Sequence, residues 1–550
     1  MRILSAAEMQ ACDRLTAQQF GVSSIQLMRN AARAIAGFVQ QQFPAAKRIT
    51  ILCGRGNNGG DGLMAAQLLV ESGREVTVLL LGDPAGARGD AATALRELLE
   101  PTADERISLR VITNSDELAF HPDALAADLI LDAVVGTGFH PPLRGLPLAA
   151  LAWLQSAPAL PPVLAVDLPS GWDADSTEAA AEHAYPADAV ITFTAPKPAH
   201  VFGQLTHSLR QPIAVAPIDS PEEAVVSSLK LHWTGSAKSI TDAERPPDSN
   251  KGMYGHVLVI GGSPGKSGAP AMASLAALRA GAGLVTAAVT PSVLPLVAGI
   301  APELMTQALA VTPSGEISPD NLAAEKLTSL LKGISVLAIG PGLGGSQEAV
   351  DFTIGLLTQS QLPAVVDADG LNALSKHPEL IPKVAAGRTL VFTPHPGEMA
   401  RLVGLTIKEV QADRIEIARK FAVENQVILV LKGWRTLVAH PDGSIAVNTT
   451  GNPGMAKGGS GDLLTGMVAS LLGQHPDQPG KAVEAAVYLH GLAADIAVRS
   501  DGIGGDQHTL LATDSLSFLP QAFRYRPQGK SGYCWLQGSP AQTYIEVHNE

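Results

Sequence analysis

The chain has 550 residues, too many for one ordinary core, so two or more domains are expected. Apolar residues make up 46%, ample for buried sheets, while 39 Lys and Arg against 52 Asp and Glu leave a formal charge of −13. An acidic chain without a basic cluster repels a phosphate backbone, which removes nucleic acid from the expected partners.

The N-terminal stretch MRILSAAEMQACDRL has no sustained apolar run, so no secretory signal is expected. Short β-branched runs then alternate with Ala/Leu-rich stretches. RITILCG (48–54), EVTVLLLG (75–82), ADLILDAVVGTG (127–138), PPVLAVDLPSG (161–171) and DAVITFTAP (188–196) each predict a buried strand, and LMAAQLLVES (63–72) a helix. Apolar strands alternating with helices predict an α/β fold, a doubly wound parallel sheet covered on both faces. The pattern dissolves over 218–250, which is polar and proline-bearing, and a linker is expected at 226–244 between a first domain, 1–225, and a second, 245–520.

The second α/β series has strands at HVLVIGGSPGKSG (256–268), SVLAIGPGLG (335–344), PAVVDADGLN (363–372), TLVFTPHPGE (389–398) and QVILVLKG (426–433). The tail, 521–550, shows no period and carries no functional reading. Cys12, Cys53 and Cys534 are odd in number and widely spaced, which fits a reducing cytoplasm and argues against a disulfide framework or a zinc site. No apolar run approaches the ~18 residues of a membrane span, so a soluble, cytoplasmic protein is expected.

GRGNNGGDG (54–62) is glycine-rich but has no phosphate-binding lysine, since Leu63 and Met64 follow Gly62. Asn57, Asn58 and Asp61 are expected on the turn between strand and helix, where glycines admit a ligand to the backbone. Their oxygens suit a hard cation or hydrogen bonds to ribose and amide groups; alternatively they only shape the turn. Asp132 and Ser170 end other strands and are expected to converge on the same place, because chemistry in such sheets sits at the carboxyl ends of strands.

GRGNNGGDGLMAAQLL, LDAVVGTGFHPPLRG and VDLPSGWDADS, in this order, resemble the NAD(P)H-hydrate epimerase domain over about residues 1–220. The resemblance implies a Rossmann-like fold that interconverts the R and S epimers of NAD(P)HX, the C6-hydrated form of NADH or NADPH. It implies a potassium ion held by Asn58, Asp132 and Ser170. The substrate contacts it implies are Asn57, Asn58, Gly59, Gly60 and Asp61, then Gly136, Thr137, Gly138, Phe139, His140, Pro141 and Pro142, and Asp167. The family's LMExAG here reads LMRNAARA, with Arg29 in the acidic position, and its APKPG here reads APKPAHVFGQ. Epimerisation needs a group that moves a proton as C6 opens. Asp167, before Pro169-Ser170-Gly171, is the candidate, with a pKa raised toward neutrality in a dry pocket; alternatively it caps the following turn.

In the second half GGSGDLLTG (458–466) places small residues before a helix, where Gly459, Ser460 and Gly461 offer N–H groups to a phosphate and Asp462 a base. This G-x-G-D resembles the anion hole and base of ribokinase-like kinases. With KGMYGHVLVIGGSPGKSGAPAMASLAALRAGAGLV, APELM, IGPGLG, DADGLNAL, TPHPGEMARL and LKGWRTLV it is similar to NAD(P)H-hydrate dehydratase over about 245–520. The resemblance implies substrate contacts at Ala269, Gly342, His395 and Asp462, and nucleotide contacts at Lys432, Gly433, Trp434, Arg435, Thr436 and Gly461. ADP is the implied co-substrate, with magnesium; Glu398 stands in the acidic place of the kinase N-x-x-E motif and His395 where its asparagine would be. Together the halves resemble the bacterial bifunctional NAD(P)H-hydrate repair enzymes, with small-molecule partners NAD(P)HX and ADP and homo-oligomerisation left open. Two alternatives stay open: a ribokinase-like small-molecule kinase with a regulatory first domain, and a first domain that is a binding module.

Overall fold

Unbroken apolar runs form strands wherever both faces of a sheet are covered, and the first half follows this rule. The computed structural model describes residues 1–99, 105–208, 211–500, 505–529 and 531–538. It comprises two units, one of Met1–Leu231 with the described residues from Arg526 onward, the other of His232–Tyr525. In the first, β1 (Arg48–Cys53), β2 (Glu75–Leu81), β3 (Ile107–Ile112), β4 (Leu129–Ala133), β5 (Val163–Val166), β6 (Ala189–Phe193) and β7 (Ile213–Ala216) are all parallel, in the order β7-β6-β5-β4-β1-β2-β3. β4 to β7 are buried throughout. β3, with the sequence ISLRVI, is an edge strand buried only at its last residue, so it carries no continuous apolar run for sequence reading to find.

The order of connection reverses between β1 and β4, whose register pairs Leu52 with Asp132. In open α/β sheets this reversal opens a crevice at the strands' carboxyl ends. Helices α1 (Ala6–Gln19), α2 (Ser24–Gln42) and α3 (Asn57–Glu71) precede and follow β1. α1 starts on a capping box, Ser5 with Glu8, and α2 buries Leu27, Ala31, Ile35 and Phe38 at helical spacing.

The second unit is built on a ten-stranded sheet. Its strands are β8 (Leu231–Trp233), β9 (His256–Gly261), β10 (Leu284–Val289), β11 (Met305–Ala308), β12 (Val336–Ile339), β13 (Ala364–Val366), β14 (Leu390–Phe392), β15 (Ile428–Leu431), β16 (Leu437–Ala439) and β17 (Ile445–Val447). The order is β11-β10-β9-β12-β13-β14-β15-β16-β17-β8, parallel from β11 to β15 and antiparallel through β15, β16 and β17. Its reversal lies between β9 and β12.

Two segments carry structure that the sequence pattern did not assign. Residues 226–244, expected as a linker, contain β8 and a 3-10 segment, Thr234–Thr241. Trp233 there is fully buried, donates Nε1–H to Thr449 Oγ1 at 2.8 Å and meets Tyr488 edge-on. A three-residue strand is too short to show a period. The tail, without a role in the sequence reading, supplies β18 (Cys534–Gln537), which pairs antiparallel with β7 and becomes the sheet's edge. Tyr533 and Trp535 pack on Phe38 with ring centroids 6.0 and 5.9 Å away. Residues 539–550 of that tail lie outside the described residues. Trp535→Ala is expected to destabilise the first unit by about 3–5 kcal/mol, the usual cost of emptying a buried aromatic site. Calorimetry of the full chain checks this as a fall in one transition while dehydratase activity persists. All three cysteines are free thiols.

Candidate active sites

The glycines of GRGNNGGDG serve close packing. A Cβ on Gly54 would lie 2.0 Å from the Val134 carbonyl oxygen, and one on Gly59 would lie 1.9 Å from that of Gly54. The end of β1, the segment after β4 and the start of α3 are pressed together. α3 begins at Asn57 with extended Gly56 as N-cap, so Asn57, Asn58, Gly59, Gly60 and Asp61 form the helix's first turn and not a loop. Asn57, Asn58 and Asp61 line a cavity of about 1000 Å³ together with Gly136, Thr137, Gly138, Phe139, His140 and Asp167, so one space gathers most of the expected first-site residues, while Gly59 and Gly60 do not line it; Pro141 and Pro142 adjoin it in sequence.

Beside this cavity Asp132 and Ser170 meet. Ser170 Oγ donates to Asp132 Oδ1 at 2.6 Å, the Ser170 N–H donates to Oδ2 at 2.7 Å, and the Val134 N–H donates to Oδ1 at 3.2 Å. Burial nevertheless pushes the Asp132 carboxyl up to about 6 against these bonds. The buried Asn58 side chain has no hydrogen-bond partner on either Oδ1 or Nδ2 among the described residues. A Cβ on Gly136 would sit 3.2 Å from Asn58 Cγ and 2.9 Å from Asp167 Oδ2, so those two side chains flank Gly136. The unpartnered Asn58 amide and the Asp132–Ser170 pair offer oxygen donors of the kind a hard cation takes.

Asp167 follows β5 in the left-handed region, φ +66°. Its Oδ1 accepts from Lys197 Nζ at 2.8 Å and from Thr192 Oγ1 at 2.9 Å, and its Oδ2 accepts the Thr137 N–H at 3.0 Å. His200 braces the pair: its Nδ1 accepts the Lys197 N–H, and its Nε2 donates to the Asp167 carbonyl at 2.7 Å. Burial alone would raise the Asp167 pKa, but the adjoining Lys197 ammonium overcomes it and holds the carboxyl at about 2. This reverses the expected rise toward neutrality. The cause is a buried lysine thirty positions further on, which sequence reading did not single out.

The second site gathers at the carboxyl ends of β9, β12, β13, β14 and β15. The helix Ser460–Gln474 starts from Gly459 at φ +95°, a conformation only glycine adopts freely. Asp462 lies in its first turn, and burial followed by repulsion from Asp367 pushes its carboxyl up to about 6, with Lys432 opposing. Lys432 Nζ is 2.8 Å from Asp367 Oδ1 and 3.9 Å from Glu398 Oε2, and Thr465 Oγ1 donates to Asp367 Oδ2 at 2.8 Å. A Cβ on Gly461 would come within 3.2 Å of Lys432 Nζ, so the ammonium lies against the helix's opening turn. Burial would lower the Lys432 pKa, but Asp367 and Glu398 keep it raised.

Gly342, at φ +63°, borders Ala269, whose Cβ would be 3.4 Å from a Cβ at 342. His395 does two things. Its Nδ1 accepts the N–H groups of Gly397 and Glu398 as the cap of helix Pro396–Val403, while the half-exposed ring leaves Nε2 3.4 Å from Glu398 Oε1. Of the expected nucleotide residues, Gly433 is exposed at φ +137° and Trp434 is partly exposed. Arg435 is buried, its guanidinium donating to the Thr449 carbonyl at 2.8 Å. Thr436 Oγ1 donates to the Gly433 carbonyl at 3.1 Å.

Residues 24–199 match the family model described as YjeF-related protein N-terminus, and residues 257–515 match that for NAD(P)H-hydrate dehydratase. The chain is 42% identical to a bifunctional NAD(P)H-hydrate repair enzyme of Moorella thermoacetica, over 95% of this chain and 97% of that one. The chain belongs to the bifunctional NAD(P)H-hydrate repair enzyme family. The relative from Escherichia coli strain K12 is 35% identical over 92% of this chain and 91% of its own. Among solved structures, the ADP/ATP-dependent NAD(P)H-hydrate dehydratase of Bacillus subtilis, co-crystallised with ATP/Mg2+, is 34% identical over 53% of this chain and 96% of that chain, with a TM-score of 0.45.

Some features separate this family member from its sequence reading. Arg29, in the family's acidic position, turns to Glu97 at 2.8 Å on the surface and does not line the cavity. The departing APKPAHVFGQ segment carries both Lys197 and His200. In the second site Asp367 was missed although DADGLNAL was noted, because spacing does not tell which of its two aspartates turns inward. Asp367 faces Lys432, while Asp369 accepts from the Gly344 N–H and Lys266. A further group, His232, His440 and Glu484, brings potential metal ligands together among the described residues. Glu484 Oε1 accepts from both Nε2 atoms at 2.9 and 2.8 Å, which already satisfies this buried carboxylate oxygen. Among the described residues no helix is long and apolar enough to cross a membrane.

Proposed function

We propose that the chain repairs hydrated nicotinamide cofactors: the first unit interconverts (R)- and (S)-NAD(P)HX, and the second dehydrates the S form with ADP, releasing NAD(P)H, AMP and phosphate. The observation that carries this reading is Asp462, a carboxyl near neutrality in the first turn of a glycine-opened helix, with Lys432 against that turn. Hydroxide is a poor leaving group from C6, whereas phosphate is a good one. Asp462 takes the hydroxyl proton as the oxygen attacks the terminal phosphorus of ADP, and the bond to the AMP oxygen breaks. Lys432 and the N–H groups of Gly459, Ser460 and Gly461 meet the developing phosphate charge. The C6–O bond then parts with its electron pair on phosphate, and loss of the C5 proton restores the dihydropyridine. Ala269, Gly342 and His395 border the hydrate, and Gly433 to Thr436 the nucleotide. Magnesium, with Glu398 as its carboxylate, would neutralise phosphate charge.

In the first unit Asn58, Asp132 and Ser170 would hold potassium, which supplies a fixed positive charge beside the substrate. Asp167 and the first turn of α3 bind the hydrated ring. The test is to give the full chain mixed hydrate epimers with ADP and follow reduced-nicotinamide absorbance and AMP. NAD(P)H and AMP are expected in equal amounts; a stable phosphorylated product without NAD(P)H would favour the kinase alternative. Replacing potassium by a bulky organic cation is expected to slow consumption of the R share to its spontaneous rate, because oxygen sites discriminate by size and field strength. An R share consumed at the full rate would remove potassium from the site.

A further inference from the structure

The first cavity holds a carboxylate that the proposed reaction has not used. Asp13, on α1, lines it together with Asp61, Asp167 and Lys197. Helical spacing buries Met9, Cys12 and Thr16 and brings Asp13 to the cavity beside them, whereas Glu8, the other acid of this helix, is bound to Ser5 and Ser228. Asp13 Oδ1 is buried and has no hydrogen-bond partner among the described residues. Lys197, the nearby cation, is already committed to Asp167 and Thr192 at 2.8 Å each. A buried carboxylate oxygen without a partner is costly, and such oxygens are retained where a ligand completes them.

Both Asp167 oxygens are already engaged, Oδ1 by Lys197 and Thr192 and Oδ2 by the Thr137 N–H, so its part is to bind and orient. We propose that Asp13 is the proton carrier of epimerisation, a catalytic residue that removes the C6 hydroxyl proton as the ring opens and returns it as the ring closes on the other face. This rests on the epimerase reading of the cavity. In the opening step the O–H bond breaks, with its proton going to the Asp13 carboxylate, and a C6=O bond forms. The C6–N1 bond breaks with its electron pair on N1, which then receives the proton from Asp13. After rotation about the C5–C6 bond, N1 adds to the opposite face of the carbonyl, and Asp13 carries the proton back to oxygen. Nothing is consumed. Five other groups face Asp13: Lys197, Asp167 and Arg14, with Asp61 and Cys12. Burial first, with repulsion from Asp167 and against attraction from Lys197, pushes the Asp13 carboxyl to about 6, which suits a group that both accepts and donates near neutrality. Asp61 is pushed well above its ordinary value by burial and then by Asp167 and Asp13.

The experiment uses the full chain with ADP withheld, so that the dehydratase is silent, and follows equilibration of pure (S)-NADHX to the R form by chromatography from pH 5 to 9. The wild type is expected to lose rate about tenfold per pH unit below about 6. Asp13→Asn is expected to lose roughly 10²–10⁴-fold in kcat, with the acid limb gone and KM within a few-fold. Asp13→Glu is expected to recover part of the rate, with the limb displaced. At pH 8 the Asn variant should melt no lower than wild type, because it sheds a buried unpaired charge. An Asn variant within threefold of wild type, or a slow one that keeps its acid limb, overturns the proposal. If the Asn variant does not fold, a Glu variant with an undisplaced limb overturns it equally. A wild type that never equilibrates the epimers overturns the epimerase reading, and this proposal with it.

Discussion

Asp462→Asn is expected to retain ADP binding and lose dehydration by at least about two orders of magnitude, since a general base is typically worth 10²–10⁴-fold. The carboxyl sits in the opening turn of helix Ser460–Gln474, beside Asp367, Asp369 and Glu398, with Lys432 as the opposing charge. With its pKa at about 6 it is mostly ionised at pH 7.5 and can accept a proton; below pH 6 it is increasingly protonated, and dehydration should fall with it. The amide is nearly isosteric, so the helix start should persist. Removing a negative charge near the phosphates of ADP is expected to tighten nucleotide binding, because like charges at short range repel. Epimerisation should be unchanged. One purified variant, assayed for ADP affinity, dehydration and R–S interconversion, checks all three. Dehydration within a few-fold of wild type would remove Asp462 from the mechanism.

The sequence made some parts of this legible and hid others for physical reasons. β1, β4 and β5 read clearly because nearly all of their residues are buried and most are apolar. β8 and β18, with the sequences LHW and CWLQ, are too short to show a period, and only pairing with β7 and burial of Trp535 reveal what the tail does. The NNGGD motif was legible as a site because it ends a strand, but not as helix, since Gly59 is where it is for its contact with Gly54. Ser170 and Asp132 end separate strands, and the fold brings them to a 2.6 Å hydrogen bond. The sign of the Asp167 shift was not legible. Burial is visible in a strand-end aspartate, but its partner, Lys197, lies beyond the next strand and looks like an ordinary surface lysine. Asp13 gave no signal at all, because one acid in an amphipathic helix is ordinarily solvated.

Lys197→Met is expected to be the most damaging single change in the first unit. The ammonium is 2% exposed and 2.8 Å from an Asp167 carboxylate that is itself almost fully buried. Methionine fills the volume but leaves that carboxylate uncompensated, and breaking a buried pair from one side costs about 3–5 kcal/mol. The pH dependence separates this cause from mere loss of packing. In the wild type Asp167 is held at about 2 against an ordinary 3.8, so the pair contributes about 2 kcal/mol. That contribution is complete above pH 4 and lost as pH falls toward 2. Without Lys197 burial alone acts on Asp167 and raises its pKa above the unfolded value, so the sign reverses: the variant is destabilised at neutral pH and recovers as the carboxyl takes up its proton. Thermal unfolding of the full chain at pH 4 and pH 7 should therefore show the gap between wild type and variant narrowing at the lower pH. Adding Asp167→Asn to Lys197→Met should restore much of the stability without restoring epimerisation, since the amide needs no cation but binds the hydrated ring differently. A gap below about 1 kcal/mol at pH 7, well under the cost of an orphaned buried charge, would show that Asp167 finds its compensation elsewhere.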